Sequence, residues 1–459
     1  MEKKLRMNYK QNNRILRTIM RLFFLFIAGS LCITHATSLF GQKPLTLGDA
    51  VKIGLEQNHD IKISILKAKS VGEAHISEMQ ANRLPSLKLF ASYTRLSDIG
   101  QTAIALPFPG IPPISFVTYY PNNYVLRLSL SQPIFTGFRL SNLQSSAEHT
   151  SAAAQEDVKT DQRGVVFTIK QQYWNLYKLQ KTLEAVNKNL DEANAHLTDV
   201  RSKLTKGVAL PNDTLKTQVQ VSTSELRKIQ TQKDIRVAMA ALMNTLGLPL
   251  DEEITLSTSP DENESSAQPI TTLIDRAKSH RSELTALNER IEAANANVRV
   301  ARAGYYPQIS AGGNFYYSDP NQRYFPAQNV FKATWDASLN LSWDIWTWNV
   351  AGLQAEQIEY TVEQLKETKK QLDDAISLEV TQNYLSQQTS LDQIRVAKLS
   401  ITQAAENLRV VKVQYEKGIA NTTDVIDAET LALQADVNYA TAVADANVAS
   451  AQLEKSVGE

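Results

Sequence analysis

Asp424 and Asp427 stand three residues apart, just beyond a Lys417-Gly418 step, in "YEKGIANTTDVIDAE". That spacing puts both carboxylates on one face of a helix. Thr422, Thr423 and Asp424 also read as a helix start, where acidic side chains complement the macrodipole. An earlier stretch, "LTKGVALPNDTLKTQ", repeats the design with Lys206-Gly207 and Asp213, and Asp213 reads as an N-cap in "PND". Elsewhere the chain offers little for catalysis. It has no phosphate loop, no Gly-x-Ser-x-Gly elbow and no His-x-x-x-His pair. Its histidines, His35, His59, His75, His149, His196 and His280, are scattered, and those beyond the N-terminal region read as partly exposed helix residues. The many other Asp and Glu fall on heptad faces, where they read as solvated. No enzyme activity, cofactor or metal is expected.

The elements that carry these aspartates emerge when the chain is compared with itself. Residues 134–247 align with 345–458 at a constant offset of 211. "IFTG" from Ile134 meets "IWTW" from Ile345, Tyr173 meets Tyr384, Asp213 meets Asp424 and Gly247 meets Gly458. Upstream, Glu73–Leu89 resembles Asn295–Ala311 at an offset of 222. The chain therefore reads as a duplication, with repeats over 42–247 and 271–459 and an acidic, Ser-rich linker over 248–270. Each repeat predicts the same order: a helix (46–83 or 271–305), two strands, a long helix (138–206 or 349–417), a glycine turn and a return helix to Gly247 or Gly458. The fold class is α+β, mainly α.

The long helices carry a seven-residue apolar period, Leu183, Leu190, Leu197 and Leu204 in one and Ile394, Ile401, Leu408 and Tyr415 in the other. That period predicts coiled coils about 100 Å long. The strands alternate with period two. Leu87, Leu89, Ala91 and Tyr93 share a face, as do Tyr124, Leu126, Leu128 and Leu130, then Ile309, Ala311, Gly313, Phe315 and Tyr317, then Trp335, Ala337, Leu339, Leu341 and Trp343. Aromatics crowd these regions, including Phe108 and Phe116 in the first inter-strand loop and four of the five tryptophans, Trp335, Trp343, Trp346 and Trp348, in the second pair. Aromatic girdles, strands of about 10 residues and long loops on one side match membrane β-barrels. Four strands cannot close alone, and an open edge in lipid leaves backbone amides unpaired. Two copies would give eight strands plugged by side chains, and three would give twelve around a lumen.

The 48 basic and 48 acidic residues balance, but residues 1–42 hold seven Lys/Arg against Glu2 alone, so the remainder is net acidic. No basic cluster points to nucleic acid. The basic start precedes "LFFLFIAGSLCIT" and small residues to Gly41, which reads as a signal peptide over 1–41, the alternative being an anchor helix. The run is shorter than the about 20 residues a spanning helix needs. The one cysteine, Cys32, lies inside it, so the mature chain is expected to have no disulfide.

Taken together, these features resemble the TolC-like outer-membrane efflux proteins. The resemblance rests on the duplicated order, the opening "LTLGDAVKIGLEQNHDI" (Leu45–Ile61) and the turn "YEKGIANTTDVIDAE". It implies a homotrimer with a twelve-stranded barrel in the outer membrane of a Gram-negative bacterium and a helical coiled-coil tunnel in the periplasm. It further implies a passive channel subunit of a tripartite efflux or type I secretion system, in contact with outer-membrane lipid. Its partners would be a periplasmic adaptor and an inner-membrane pump of the RND or ABC type. By position, Asp424 and Asp427 would form carboxylate rings that narrow the pore and attract cations, with helix capping as the competing reading. Asp213 and Tyr415 match a pair that hydrogen-bonds between the tips. Gly207, Val208, Ala209 and Leu210, with Gly418, Ile419 and Ala420, match the surface that meets the adaptor. Ala420 departs from members that carry an arginine there, and Pro211 is a second local difference. The rival reading is a periplasmic coiled-coil scaffold or adaptor without a pore.

Overall fold

The computed structural model describes residues 43–97, 110, 119–252, 254–260 and 268–459. The expected signal peptide, Cys32, Phe108 and Phe116 lie outside the described residues. The chain divides into two units. In the first, residues 43–44 and 254–255 belong to a two-stranded sheet of β1 (Lys43–Leu45) and β4 (Ile254–Leu256). The 248–270 segment, expected as a plain linker, therefore contains a strand.

The second unit, Leu45–Glu252 with Leu256–Glu459, holds all the other elements. It opens with α1 (Leu47–Gln57), α2 (His59–Lys69), a π turn (Ser70–Ala74) and α3 (His75–Ala81). Strands β2 (Ser86–Arg95) and β3 (Asn122–Thr136) follow, then α4 (Arg139–Thr205) and α5 (Pro211–Leu246). Beyond β4 come α6 (Ile270–His280), α7 (Ser282–Arg302), β5 (Gln308–Asp319), β6 (Lys332–Ser342), α8 (Val350–Glu416) and α9 (Thr422–Val457). The two long helices are 67 residues each and the two return helices 36 each.

The helix expected over 46–83 is broken, because Asn58 ends α1 and caps α2. Its side-chain Oδ1 accepts from the Asp60 and Ile61 amides at 2.8 and 3.1 Å, and its Nδ2 donates to the Thr245 carbonyl at 2.8 Å. A side chain that satisfies two orphan amides makes a helix start cheaper than continuation. The helix expected over 271–305 breaks likewise at Arg281, whose extended backbone separates α6 from α7. The half-buried Arg281 guanidinium is held by Glu283 and Glu379.

The four-stranded sheet runs β2-β3-β5-β6, antiparallel throughout. Its register places the apolar residues of all four strands in common rows: Leu89, Leu128, Phe315 and Trp335 in one, Ala91, Leu126, Tyr317 and Ala333 in the next. That face is exposed, with Leu89 at 69%, Trp335 at 75% and Leu339 at 70%. The opposite face is polar and linked. Ser129 donates to Asn314, Asn314 donates to Asp336, and Arg323 pairs with Asp336. A sheet that bares its leucines and covers its serines has the polarity of one solvated by lipid. Strand β3 is longer than expected, at 15 residues, and bulges between Pro133 and Phe135. Among the described residues, its outer strands β2 and β6 each leave one edge unpaired within the chain.

The helices pack by small apolar seams. Ala193, Leu197 and Val221 join α4 to α5, while Ala185, Val186 and Leu433 join α4 to α9. Ile394, Ala397, Ala442, Val443 and Ala446 join α8 to α9. Farther from the turns, Ile291, Ala294, Val298, Ala355 and Val362 join α7 to α8. Of the heptad leucines in α4, Leu197 is buried and Leu183, Leu190 and Leu204 are half-buried. Val186, Ala193 and Val200, three residues after each of the first three, complete the seam as buried partners. This three-four alternation is the coiled-coil pattern. Near the turns the helices therefore neighbour one another in the order α5, α4, α9, α8.

Candidate functional site

The α4–α5 and α8–α9 hairpins end in the same backbone device. Gly207 and Gly418 both sit at φ +73°, a conformation that costs a residue with a Cβ. Behind each, the chain closes on the helix. Val208 N donates to Lys203 O and Ile419 N to Gln414 O, both at 2.9 Å. Val208, Leu210 and Ile419 project into solvent, at 76%, 67% and 73% exposure, while Ala209 and Ala420 are half-buried. These turns thus carry three apolar side chains that are not packed within the chain.

Past the turns, the two aspartates do the same work. Asp424 Oδ2 accepts from Asn421 N at 2.8 Å, and Asn421 Oδ1 accepts from Thr423 N and Asp424 N at 2.8 and 3.2 Å. This is a reciprocal capping box. Asp213 Oδ2 accepts from Leu210 N at 3.1 Å. Asp213 is thus the third residue of α5, not its N-cap; Leu210 occupies that position and Pro211 follows it. Leucine has no side-chain acceptor, so this end is half a box, compensated by a proline whose missing amide needs no partner. Asp424 and Asp427 are both exposed. Capping uses one oxygen of Asp424 and leaves Asp427 free of that duty.

Tyr415 and Asp213 are not brought together within the chain. The Tyr415 ring instead meets the His196 ring edge-on at 5.0 Å, and Lys203 Nζ stands 3.6 Å over its centre. This ties the end of α8 to α4.

One cluster escaped sequence reasoning. Glu429, on α9, is fully buried, and neither carboxylate oxygen has a hydrogen-bond partner among the described residues. The Lys412 ammonium lies 4.0 Å from Oε1 and 3.6 Å from Glu192. Burial pushes the Glu429 acid up to about 7, opposed by Lys412 and reinforced by Glu192. Next to it on α4, Asn189 donates to the Glu429 backbone carbonyl at 3.3 Å and accepts from Ser224 at 2.8 Å. The Nε2 of buried His196 has no hydrogen-bond partner among the described residues, and desolvation lowers its pKa. The sequence did hold a signal: Glu429 falls on the apolar stripe Thr422, Val425, Glu429 and Leu433, where a glutamate is out of place.

Comparison with known proteins agrees with this architecture. The family model described as "Outer membrane efflux protein" matches residues 52–248 and 273–459. Outer membrane efflux protein BepC of Brucella suis biovar 1 (strain 1330) is 23% identical over 192 residues, 42% of this chain and 41% of the relative. The toluene efflux pump outer membrane protein TtgF of Pseudomonas putida is 23% identical over 272 residues, 57% of this chain and 52% of the relative. The chain thus spans about half the length of these curated relatives. The Campylobacter jejuni CmeC outer membrane channel superposes with a TM-score of 0.74 at 16% identity, over 90% of this chain and 85% of that one. Long helical hairpins joined to a sheet with a bared apolar face are the fold shared with solved outer-membrane channel structures. The chain belongs to the outer membrane efflux protein family, and its place is the Gram-negative outer membrane, with the helical part in the periplasm. The family match speaks for the channel reading and not for the scaffold without a pore.

Proposed function

We propose that this chain is one of three identical subunits of a passive conduit across the outer membrane and periplasm, serving a tripartite efflux or type I secretion system. The observation that carries the reading is the sheet: an exposed apolar face whose outer edges, on β2 and β6, are unpaired among the described residues. In lipid those edges must pair, and only sister subunits offer matching strands. Twelve pooled strands leave a lumen where eight would be filled. The helical layer supports the same closure. Its outermost helices each carry an exposed apolar stripe at heptad-like spacing, Leu215, Val219, Leu226 and Ile229 on α5, and Leu378, Leu385, Leu399 and Val413 on α8. Two different edges that complement one another build a ring by head-to-tail contact.

In that ring, three copies of Asp424 and Asp427 would gather six carboxylates at the periplasmic end, a constriction that attracts cations and resists anions. Asp213 and Tyr415 would complete the closed tip. Gly207–Leu210 and Gly418–Ala420 would meet the helical hairpin of a periplasmic adaptor, and the inner-membrane pump would supply the energy. With alanine at 420, closure in this chain rests on packing and capping more than on an arginine clamp. The test is conductance in planar bilayers. Asp424→Ala combined with Asp427→Ala should raise the current and weaken block by multivalent cations. Unchanged current and block would leave both aspartates as caps alone.

A further inference from the structure

Glu429 has no part in the conduit proposed above. Its carboxylate lies inside the packing of α9 against α4 and α8, two residues past Asp427, with no hydrogen-bond donor in reach among the described residues. Such a group is tolerated when neutral and strongly disfavoured when charged. We propose that Glu429 is a proton-operated latch on the second hairpin, protonated while α9 is packed between α4 and α8 and ionised when α9 shifts enough to hydrate it. The proposal rests on the reading of these hairpins as the periplasmic gate.

The surroundings fit that role. From α8, the cation at hand is Lys412, and at 4.0 Å it approaches without bonding. From α4, Glu192 competes for the same ammonium at 3.6 Å, and burial disfavours the charged form of His196. From α5, Ser224 is engaged by Asn189, and Lys216 is committed to Thr423 at 3.1 Å. On α9 itself, Asp436 pairs with Lys188 at 3.4 Å. Among the described residues, a buried Glu429 anion is therefore compensated only in part, by a Lys412 ammonium that it shares with Glu192 and that makes no hydrogen bond to it. A groove of about 320 Å3, lined by Glu192, Leu408, Lys412, Ala432 and Asp436, brings solvent to the neighbour of the carboxylate. A proton released by Glu429 leaves through it to bulk water. Burial pushes this acid up to about 7, while a hydrated glutamate titrates near 4.3. The packed state therefore holds the proton that the shifted state loses. Raising the pH through 7 favours opening and lowering it favours closure.

The experiment uses the purified full-length protein in planar bilayers between about pH 4 and about pH 8.5, which brackets the interval from about 4.3 to about 7 over which the packed and hydrated states differ in protonation. The ratio of open to closed channels should rise on the order of tenfold between pH 6 and pH 8 and level off above. Glu429→Gln should hold the acid-side value throughout, and His196→Gln should follow the unmodified protein. A profile that is flat in the unmodified protein, that persists in Glu429→Gln, or that vanishes in His196→Gln overturns the latch. Hydrogen exchange over residues 422–433, corrected for intrinsic rate, tests it without any current. Protection should fall on the order of tenfold over the same interval, and equal protection overturns the proposal even where Glu429→Gln fails to assemble. A protein that forms no pore at any pH counts against the conduit reading, and the exchange data then decide the latch separately.

Discussion

The two hairpin tips share a backbone and differ in what lies behind it. Both turn on a glycine at φ +73°, and both return through an aspartate that binds the amide three residues earlier. The first tip begins its return helix on Leu210 and Pro211, the second on a full Asn421–Asp424 box. One turn deeper the difference sharpens. At the offset of 211, Glu429 corresponds to Gln218 and Lys412 to Arg201, and both first-hairpin residues are exposed. Asp427 corresponds to Lys216, which reaches across to Thr423. The first hairpin thus keeps its polar and charged counterparts of this cluster on a solvated outer face. The second, flanked by α4 on one side and sharing its seam with α8, has taken a carboxylate inside. Duplication preserved the turn, whose geometry is local, and let the interior chemistry diverge.

The largest effect that would sharpen this contrast concerns Glu429. Its acid is raised to about 7 in the folded hairpin, so the folded state is unpenalised below the ordinary glutamate range and loses stability as pH climbs through 7. At pH 8 Glu429→Gln should stabilise the second hairpin, by an amount on the order of 3 kcal/mol, and at pH 4 it should do almost nothing. The reciprocal change Gln218→Glu should leave the first hairpin unchanged at both pH values. Local opening energies from hydrogen exchange read all four cases. An equal response in the two hairpins would break the comparison.

Next in size are the turns. Gly207→Ala and Gly418→Ala each force a Cβ into the left-handed region, at about 1–2 kcal/mol apiece. The same exchange measurement should find the two losses equal, since the two turns share their φ and their closing bonds. A large inequality would mean that one turn is held by contacts beyond its own backbone.

The smallest effect separates the caps. Asn421→Ala removes a side chain that serves two amides and should cost about 1 kcal/mol, whereas Leu210→Ala removes no hydrogen bond and should cost near zero by the same measure. Equal costs would show that the side chain of Leu210 packs as part of the cap.

Much of the architecture was legible because it follows from short-range rules. Alternation in "YVLRLSLSQ" predicted the face on which Leu126, Leu128 and Leu130 lie, and the register aligned it with Leu89 and Phe315. The seven-residue leucine period located one row of the α4 seam, and the more deeply buried row of Val186, Ala193 and Val200 lies three residues later. What failed was continuity. "EQNHDI" looked like helix interior, yet Asn58 stops one helix and starts another, because its amide nitrogen finds the Thr245 carbonyl on α5. That partner lies 187 residues away and could not be inferred locally. At the candidate site, Asp424 and Asp213 were readable by position, and their hydrogen bonds resolved which capping role each plays. Glu429 went unnoticed, since a glutamate in a heptad helix is ordinarily solvated.

By itself the amino-acid order determined the repeat, the helical and extended segments and the glycine turns. All of these depend on periodicity and backbone preference within one element. Only the tertiary structure decided which stripe faces which, that Tyr415 lies beneath Lys203 rather than beside Asp213, and that the Glu429 carboxylate is sealed from water. Burial is a property of neighbours from α4, α8 and α9 together, and a charge responds to that whole environment, not to its place in the chain.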